Sequence, residues 1–418
     1  MTLIASIAGT LLIAAAAVQL AISICFQKSF AKKQPLLLPV DQQEKAVVIM
    51  SVRGCDPSLI NSLKGVLNQN YADYSVLLVA DHPTDQAWDL VHRIKLENDP
   101  LDRLKILEMV NPSETCSLKC HAIVQALGHI DEETVYVALL DADVQPHPGW
   151  LTELTGPLQD PAIGGVTGNQ WFEPDSSAGI GSLVRSTWNG GALVPTIFFA
   201  NPWAGSFAMR VKDVWSSGLD KTWTQSVVDD GPIKQAIGKI GLRIEFAPSL
   251  IMVNREPCTF GYANRWVTRM LTWSRLYEKT FYLSIIHALF SNTVMLANFG
   301  ILLWSTGLGS ISGGLISAFS LIAAGIMCNL AYLFARSCVA QSCQLRGAKL
   351  GPMTLRRQFE VFWLSGLGHL VYGISCARAI LIKRIKWRDI TYELKSATQV
   401  KRLDYQPFVA HGPSKVSI

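Results

Sequence analysis

Two aspartates, Asp141 and Asp143, end an apolar run in the stretch "TVYVALLDADVQPHPGW" at residues 134–150. The run from Val135 to Leu140 is typical of a buried strand, and the prolines after it prevent the strand from continuing. Carboxylates that lie close together repel each other unless a cation neutralises them. Oxygen ligands suit Mg²⁺ or Mn²⁺, which bind through one or two carboxylates together with substrate phosphates. The pair therefore predicts a metal site, although two solvated turn carboxylates would show the same spacing.

The elements that must position these carboxylates alternate between strand and helix. The predicted strands cover residues 46–52, 75–81, 104–110 and the run before Asp141, and the predicted helices cover 58–69, 87–99 and 118–127. Continuous apolar strands separated by helices indicate a mainly parallel sheet that is covered on both faces. Ligands of such sheets bind beyond the carboxyl ends of the strands. We therefore expect Asp81, Asp141 and Asp143 to converge on one rim.

A second acidic pair, Asp229 and Asp230, stands in "SVVDDGPIKQAIGKIGLRIEFAP" at residues 226–248, just before a predicted helix. A carboxylate at a helix start is often only a cap, and we expect this of one of the two. The other would then act as a general base. The turn before this segment, "WAGSFAMR" at 203–210, contains glycine and serine and leads into a short apolar run.

Hydrophobic residues make up 49% of the 418 residues, and the excess lies in segments without charge. Residues 1–27 and 280–335 contain no Asp, Glu, Lys or Arg, and a third, shorter apolar segment covers 361–377. A bilayer span needs about 20 such residues, so the second segment has room for two spans. The sequence therefore predicts an integral, multi-pass membrane protein.

The first apolar segment, residues 1–27, is predicted to be an uncleaved anchor rather than a signal peptide. A cleaved signal peptide has basic residues before its apolar core, whereas Lys28, Lys32 and Lys33 follow this one. Positively charged flanks stay on the cytoplasmic side of a membrane. We therefore expect the domain that follows to face the cytosol.

The stretch "FGYANRWVTRMLTWSRLYEK" at 260–279 places aromatic and apolar residues on one face of a helix. These residues are Trp266, Met270, Trp273 and Tyr277. With arginines beside this face, the pattern predicts an amphipathic helix at 260–280 that lies in the membrane interface. Periodicity alone does not distinguish lipid from protein on the apolar side, so an ordinary core-facing helix is the alternative.

The cysteines and the net charge argue against a zinc site and a nucleic-acid-binding site. The nine cysteines are scattered, as expected for reduced thiols in a cytosolic domain. The stretch "CSLKCH" at 116–121 lacks a second Cys/His pair at zinc spacing, so no zinc site is predicted. The net charge of +5 is modest, and the basic residues cluster beside the membrane segments. This distribution suits an anionic lipid surface better than a nucleic acid.

An ordered set of motifs carries a resemblance to the processive-type family 2 glycosyltransferases, with their D, DxD, (E/D)D and (Q/R)xxRW motifs. The matching positions are Asp81, Asp141-x-Asp143, Asp230 and Arg265-Trp266. Within that group the chain most resembles the ceramide glucosyltransferase family. Supporting stretches are "SVRGCDPSL" after the first strand and "IKWRDITYEL" at 385–394. The resemblance covers about residues 45 to 395 and implies an α/β, Rossmann-like GT-A catalytic domain at 45–258 with transmembrane helices at both ends.

The resemblance implies a role for each acidic motif. Asp81 would bind the uracil of the donor, and Asp141 with Asp143 would hold the ribose and the metal-bound diphosphate. Asp230 would be the catalytic base, and Asp229 stands at the usual acidic position before it.

The remaining motif residues would act on the diphosphate and the acceptor. Arg265 and Trp266 would contact the diphosphate and close the acceptor site, and Lys119 would lie near the nucleotide. The first position of (Q/R)xxRW is Tyr262 in this chain, so an offset register that uses Arg269 is an alternative. The residues expected on the acceptor side are Gly205, Ser206, Asp229 and Trp273.

The implied reaction is the transfer of a hexose, with glucose expected, from a UDP-sugar to a lipid hydroxyl at the cytosolic face of the membrane. The mechanism would invert the anomeric centre, the cofactor would be Mg²⁺ or Mn²⁺, and the acceptor would be ceramide-like. Diacylglycerol or a hopanoid is an alternative acceptor, and a polysaccharide synthase is an alternative enzyme. A transporter with a nucleotide-binding domain would not require the ordered aspartates.

Membrane segments are predicted at 281–382, followed by a basic cytosolic tail at 383–418. The loop 336–357 is also basic, so it and the tail are not both cytosolic if three segments each cross once. We expect the tail to touch the catalytic domain and the segment that starts at Phe281 to be re-entrant.

Overall fold

The computed structural model describes residues 1–30, 38–175, 177–308 and 311–408, which form two compact units. The first, which we call the helical unit, takes in the described residues of 1–33, 171–198 and 255–381. The second, the sheet unit, takes in those of 34–170, 199–254 and 382–418. The predicted basic flank at Lys32 and Lys33 and the end of the predicted tail, 409–418, lie outside the described residues.

The strands of the described chain form a large and a small sheet. Their bounds are β1 Ala46–Val52, β2 Tyr74–Ala80, β3 Leu104–Glu108, β4 Tyr136–Leu140, β5 Ile163–Phe172, β6 Ser206–Arg210, β7 Arg243–Asn254, β8 Arg384–Trp387, β9 Ile390–Ser396 and β10 Gln399–Arg402. The large sheet has the strand order β3-β2-β1-β4-β6-β5-β7. Strands β1 to β4 run parallel, and β6 pairs antiparallel with both β4 and β5.

The large sheet confirms the predicted fold class. All five residues of β4 are buried, as are six of the seven in β1, because helices cover both faces of a parallel sheet. The carboxyl ends of β1, β2 and β4 lie side by side in the strand order, so the residues that follow them share one rim.

The helices match the predictions closely in the first half of the sheet unit. The α-helices of the described chain are α1 Thr2–Phe30, α2 Leu59–Leu67, α3 Gln86–Asn98, α4 Leu118–Leu127, α5 Trp150–Thr155, α6 Ile180–Phe198, α7 Val211–Ser217, α8 Leu219–Trp223, α9 Ile233–Lys239, α10 Phe260–Tyr277, α11 Phe281–Leu308, α12 Ile311–Leu345 and α13 Leu355–Leu381. Side chains cap the starts of α3 and α4. Asp85 Oδ1 accepts from the Ala87 N–H at 2.9 Å, and Ser117 Oγ accepts from the Cys120 N–H at 3.1 Å.

The residues after α13 return to the sheet unit as the small antiparallel sheet β8–β9–β10. The Leu118 N–H at the start of α4 donates to the Tyr392 hydroxyl at 3.2 Å. The Arg402 N–H donates to the Glu114 carbonyl at 2.7 Å. The segment that contains "IKWRDITYEL" therefore contacts the same unit as the large sheet.

Within the part of the chain that the structure describes, four helices are long and apolar enough to cross a membrane, namely α1, α11, α12 and α13. Helix α11 is continuous from Phe281 to Leu308, about 40 Å at 1.5 Å per residue. The break expected of a re-entrant segment is therefore not seen in the segment that starts at Phe281.

Helix α1 runs beside α12 within the helical unit. Thr2 Oγ1 lies 3.0 Å from Ser312 Oγ near one end, and Gln27 Nε2 donates to Ser337 Oγ at 2.6 Å near the other. Between them, Leu12 and Ala16 are buried in an apolar cluster with residues of α11 and α12. Helix α1 is thus part of the packed helical unit.

Helix α10 differs from the interfacial helix that the sequence predicted. Trp266, Trp273 and Tyr277 are buried in the protein, with 9%, 8% and 5% of their surfaces exposed. Trp266 lies edge-on to Phe172 and Trp188, with ring centroids 5.1 and 5.2 Å apart. The apolar face of this helix is therefore covered by protein, which is the core-facing alternative.

The unit boundaries also divide the predicted catalytic domain. Residues 171–198, which include α6, belong to the helical unit although they lie within 45–258. Two helices of that unit hold α6: Gly181 lies against the Thr259 and Phe260 backbone at the start of α10, and Gly368 of α13 lies against Thr187.

Candidate active site

The two aspartates after β4 lie at the rim of the large sheet, as predicted. The Asp141 N–H donates to the Gly205 carbonyl at 3.3 Å, which ties the start of this turn to the residue before β6. Both aspartates are partly exposed. Asn254, the last residue of β7, donates from Nδ2 to Asp143 Oδ2 at 3.4 Å. An amide side chain thus stands beside the second carboxylate, and the sequence did not predict it.

Lys119 joins two of the predicted acidic residues. It lies in the first turn of α4, its Nζ pairs with Asp141, and the same Nζ lies 2.8 Å from Asp229 Oδ2. Burial lowers the pKa of Lys119, but the two carboxylates raise it by more, so the net pKa lies above its ordinary value. The side chain therefore carries a positive charge between Asp141 and Asp229.

The adjacent aspartates Asp229 and Asp230 have different surroundings. Asp229 is 2% exposed, and its carbonyl accepts from the Trp223 indole N–H at 2.8 Å, whereas Asp230 is half-buried. Burial raises the pKa of Asp229, and Lys119 opposes that shift. Pro232 holds the N-cap position of α9 and makes no side-chain bond there. Asp229 is a counter-ion of Lys119, and the expected cap by one of the two aspartates stays a prediction.

Gly205 allows Trp203 and Asp141 to come close together. A Cβ atom at Gly205 would lie 2.6 Å from Asp141 Oδ2 and would also clash with the Trp203 indole. Ser206, in contrast, is fully buried, and its hydroxyl accepts from the Trp150 indole N–H at 2.8 Å. Gly205 therefore shapes the rim, while Ser206 is held within the sheet.

Asp81 is fully buried at the end of β2. Its Oδ2 pairs with Arg53 Nη1 and accepts from the Phe408 N–H at 3.2 Å. Among the described residues, its Oδ1 has no hydrogen-bond partner. Burial raises the pKa of Asp81, and the Arg53 charge opposes that shift.

Arg53 connects the turn after β1 with the turn between β8 and β9. Its Nε donates to the Arg388 carbonyl at 3.0 Å, and Arg388 Nη1 donates to the Arg53 carbonyl at 2.9 Å. Arg388 Nη2 also lies 2.6 Å from Asp56 Oδ2. The stretches "SVRGCDPSL" and "IKWRDITYEL" thus meet beside Asp81, a contact that residue spacing alone does not reveal.

The remaining predicted residues belong to the helical unit. Arg265 is exposed on α10, while Arg269 is half-buried. Trp266 and Trp273 are buried, and Tyr262, where the motif has Gln or Arg, lies 6.0 Å from the Arg185 guanidinium. The roles of these residues remain predictions.

No group of three or more His, Cys, Asp or Glu side chains within the described ranges is placed to hold a metal ion. The donors that are present are the Asp141 and Asp143 carboxylates, with the Asn254 amide beside Asp143. This set fits Mg²⁺ or Mn²⁺ that arrives with a diphosphate, because such ions use one or two protein carboxylates plus phosphate oxygens.

Comparison with protein families shows to which family the chain belongs. The model of the family described as "Glycosyl transferase family 21" matches residues 9–400. The chain belongs to glycosyl transferase family 21. It is therefore a glycosyltransferase, as predicted. Family 21 is the ceramide glucosyltransferase family, which the chain was found to resemble most, although the motif resemblance had placed it within family 2. The match extends from α1 through β10 and so takes in both units of this family 21 chain.

Among solved structures, a mannosyltransferase from Pyrobaculum calidifontis in complex with GDP-mannose and Mn²⁺ is 17% identical; the match covers 76% of this chain and 98% of that one, with a TM-score of 0.48. Glucosyl-3-phosphoglycerate synthase from Mycobacterium tuberculosis, with Mn²⁺ and UDP-glucose, is 14% identical over 55% of this chain and 79% of that one, with a TM-score of 0.36. S. aureus TarS is 12% identical over 65% and 54%, with a TM-score of 0.37. Comparison with curated protein sequences gives no significant match.

Proposed function

We propose that this family 21 enzyme transfers a hexose, with glucose expected, from a UDP-sugar to the hydroxyl of a ceramide-like membrane lipid. The observation that carries the proposal is the rim where Lys119 pairs with Asp141 and Asp229, with half-buried Asp230 adjacent in the chain. A cation among carboxylates suits a diphosphate leaving group. A half-buried carboxylate next to it suits the removal of a proton.

Asp230 is the proposed general base. Its carboxylate would take the proton from the lipid hydroxyl as the hydroxyl oxygen attacks the anomeric carbon of the sugar. The new glycosidic bond forms as the bond to the diphosphate oxygen breaks, so the anomeric centre inverts and UDP leaves. General-base catalysis is typically worth about 10²- to 10⁴-fold in rate. Asp229 does not fill this role, because it is buried against Lys119.

Asp141 and Asp143 are the proposed holders of a divalent metal, with Mg²⁺ and Mn²⁺ as the candidates. When bound, such an ion stabilises the negative charge that develops on the departing diphosphate. Lys119 orients Asp141 through their ion pair and keeps the buried Asp229 charge neutralised. Gly205 leaves room for the Asp141 carboxylate next to Trp203.

The proposed location is the cytosolic face of a membrane, where the acceptor keeps its tails in the bilayer. Residues 34–170 and the tail from 382 belong to one compact unit, so the chain between them must cross the membrane an even number of times. Helices α11, α12 and α13 therefore do not each cross once. An even number of crossings supports the proposed cytosolic location of the tail.

Helix α13 is our candidate for the helix that does not cross. It has the lowest mean hydropathy of the four long apolar helices. It also lies along α10, through a 3.0 Å hydrogen bond between Thr268 Oγ1 and Ser375 Oγ, and α10 is not apolar enough to be a span. With α11 and α12 as a pair of spans, the basic loop around Lys349 and the basic tail are both cytosolic, as positive flanks prefer.

Labelling of a Lys349→Cys variant with a membrane-impermeant maleimide tests this arrangement. We expect labelling only after cells are permeabilised, with the wild-type chain as the control for its native cysteines. Labelling of intact cells would mean that the loop lies outside and that α13 crosses.

The function itself is tested by mass spectrometry of lipids from a host that lacks glycolipids. Expression of the wild-type protein should give a hexosylated lipid whose acceptor mass identifies ceramide, diacylglycerol or a hopanoid. The Asp230→Asn variant, expressed to the same level, should give none. A soluble polysaccharide in place of a hexosyl lipid would refute the proposed acceptor class.

A further inference from the structure

The segment after β10 lies directly over Asp81. We call residues 403–408 the C-terminal strap. Its Phe408 N–H donates to Asp81 Oδ2 at 3.2 Å, and its Gln406 carbonyl accepts from Arg53 Nη2 at 3.0 Å. The Tyr405 ring lies 5.9 Å from the Arg53 guanidinium. The strap therefore contacts both members of the Asp81–Arg53 ion pair.

Arg402, at the start of the strap, is firmly held. Its Nη2 donates to the Pro112 carbonyl at 2.6 Å and its Nε to the Ser113 carbonyl at 3.0 Å. The guanidinium also lies 4.8 Å from the Tyr405 ring. The turn after β3 therefore holds the chain in place immediately before the strap begins.

The Phe408 ring lies against the backbone at Gly54, in the turn after β1. A Cβ atom at Gly54 would be 2.9 Å from two ring carbons, and Gly54 has a φ of +76°, a conformation that favours glycine. The Arg53 guanidinium lies 5.6 Å from the same ring. A planar ring held against a glycine backbone and near a guanidinium occupies a place that would also suit a planar nucleobase.

Asp81 is closed off in this state. It is fully buried, and its Oδ1 makes no hydrogen bond of good geometry among the described residues, although carboxylate oxygens in protein interiors are normally hydrogen-bonded. The Tyr405 hydroxyl, 3.5 Å from the Asp81 carbonyl oxygen, interacts with the carboxylate and opposes the rise in its pKa. A donor base has no access to the buried carboxylate while the strap stays in place. An imide N–H, such as N3–H of uracil, would supply the missing hydrogen bond.

We propose that the C-terminal strap is a gate of the donor-base site, in which Phe408 holds the place that the base takes when the donor binds. This inference rests on the proposed function, since it assumes a UDP-sugar donor with its base at Asp81. Binding of the base would exchange the Phe408 N–H on Oδ2 for an imide N–H on Oδ1. Arg53, which stays paired with Asp81, is then a positioning residue for the carboxylate.

Base specificity follows from this exchange. Cytosine has a lone pair at N3 where uracil has N–H, so it does not relieve the unpartnered oxygen. Opening the strap costs the same for both bases, and only uracil presents a donor at N3 to the carboxylate. The gate thus predicts that UDP binds more tightly than CDP, and that this preference depends on Asp81.

The test measures the affinity of the full-length protein for UDP by titration in detergent. The Phe408→Ala variant is compared with the wild type, and Trp215→Ala is the matched control. Trp215 is an exposed aromatic residue on α7 in the same unit. If the ring competes with the base, Phe408→Ala should bind UDP about 3- to 10-fold more tightly, because the open state is more populated. Trp215→Ala should match the wild type. Unchanged or weaker UDP binding by a folded Phe408→Ala would overturn the gate.

Hydrogen exchange on the wild-type protein gives a second readout that does not depend on a variant. Saturating UDP should speed exchange in a peptide that contains Phe408, because its N–H loses Asp81 Oδ2. Slower or unchanged exchange would overturn the gate even where UDP binds. If neither the wild type nor the variant binds UDP, the proposed function fails first and the gate fails with it.

Discussion

Lys119 Nζ lies 2.8 Å from Asp229 Oδ2 and pairs at the same time with Asp141. One ammonium thus links the carboxyl end of β4 to the loop before α9. It pairs with the buried Asp229, whereas the neighbouring Asp230 is half-buried. The proposed role of general base therefore falls to Asp230.

Replacement of Lys119 by methionine should destabilise the sheet unit. The change leaves two carboxylates close together without a cation, and loss of one partner of a buried ion pair typically costs about 3–5 kcal/mol. The Lys119→Met/Asp229→Asn double variant should recover most of that stability without recovering activity, because Asp141 still lacks its partner. Thermal unfolding in detergent measures the stability of the single and the double variant. A single variant as stable as the wild type would contradict the bridging role.

A methyl group at Gly205 should disturb the rim. The new Cβ atom would lie 2.6 Å from Asp141 Oδ2, so we expect Gly205→Ala to weaken UDP binding and to cost about 1–3 kcal/mol of stability through overpacking. Gly238→Ala in α9 is the matched control, since a Cβ atom there meets nothing within 4 Å. The control should be neutral or slightly stabilising, because alanine is favoured over glycine inside a helix. Equal effects in both variants would show that Asp141 is not crowded by residue 205.

Metal dependence should be visible in donor binding as well as in turnover. With EDTA present, we expect UDP to bind the wild type weakly, and Mn²⁺ or Mg²⁺ should restore its affinity. Asp143→Ala should remove most of this metal effect, while Asp131→Asn, at an exposed surface ion pair, should keep it. Calorimetric titration with each ion present and absent provides the measurement. An Asp143→Ala variant with a full metal effect would rule that carboxylate out as a ligand.

The first half of the sheet unit was predictable because its signals are local. Unbroken apolar strands alternate with helices whose starts carry capping residues such as Asp85 and Ser117. Such patterns determine the class of sheet, and the class determines where the strand ends meet. The convergence of Asp81, Asp141 and Asp143 on one rim could therefore be expected from the sequence.

Contacts distant in sequence were not predictable. Arg53 and Arg388 exchange two hydrogen bonds across 335 residues, and Phe408 reaches Asp81 across 327. Nothing in the spacing of these residues joins them, although both stretches around the arginines stood out in the sequence. The surroundings of α10 were likewise not predictable, because the spacing of apolar residues along a helix is the same whether protein or lipid covers that face.

Trp273→Glu tests the revised view of α10. Trp273 is only 8% exposed, so a buried unpaired carboxylate should lower the thermal stability of the protein and reduce UDP binding and lipid transfer together. Trp273→Phe should retain most of both, since it keeps an aromatic ring. A stable Trp273→Glu variant with a raised KM for the lipid alone would restore the interfacial helix.

The most direct test of the central claim follows the sugar itself. Purified protein with UDP-glucose carrying a labelled α-linked glucose, a ceramide acceptor and Mn²⁺ should yield a lipid-soluble product, and NMR should show its glycosidic bond in the β configuration. Asp230→Asn should bind UDP as the wild type does and make this product about 10²- to 10⁴-fold more slowly. An α-linked product, or an Asp230→Asn variant with most of the wild-type rate, would contradict inverting transfer with Asp230 as the base.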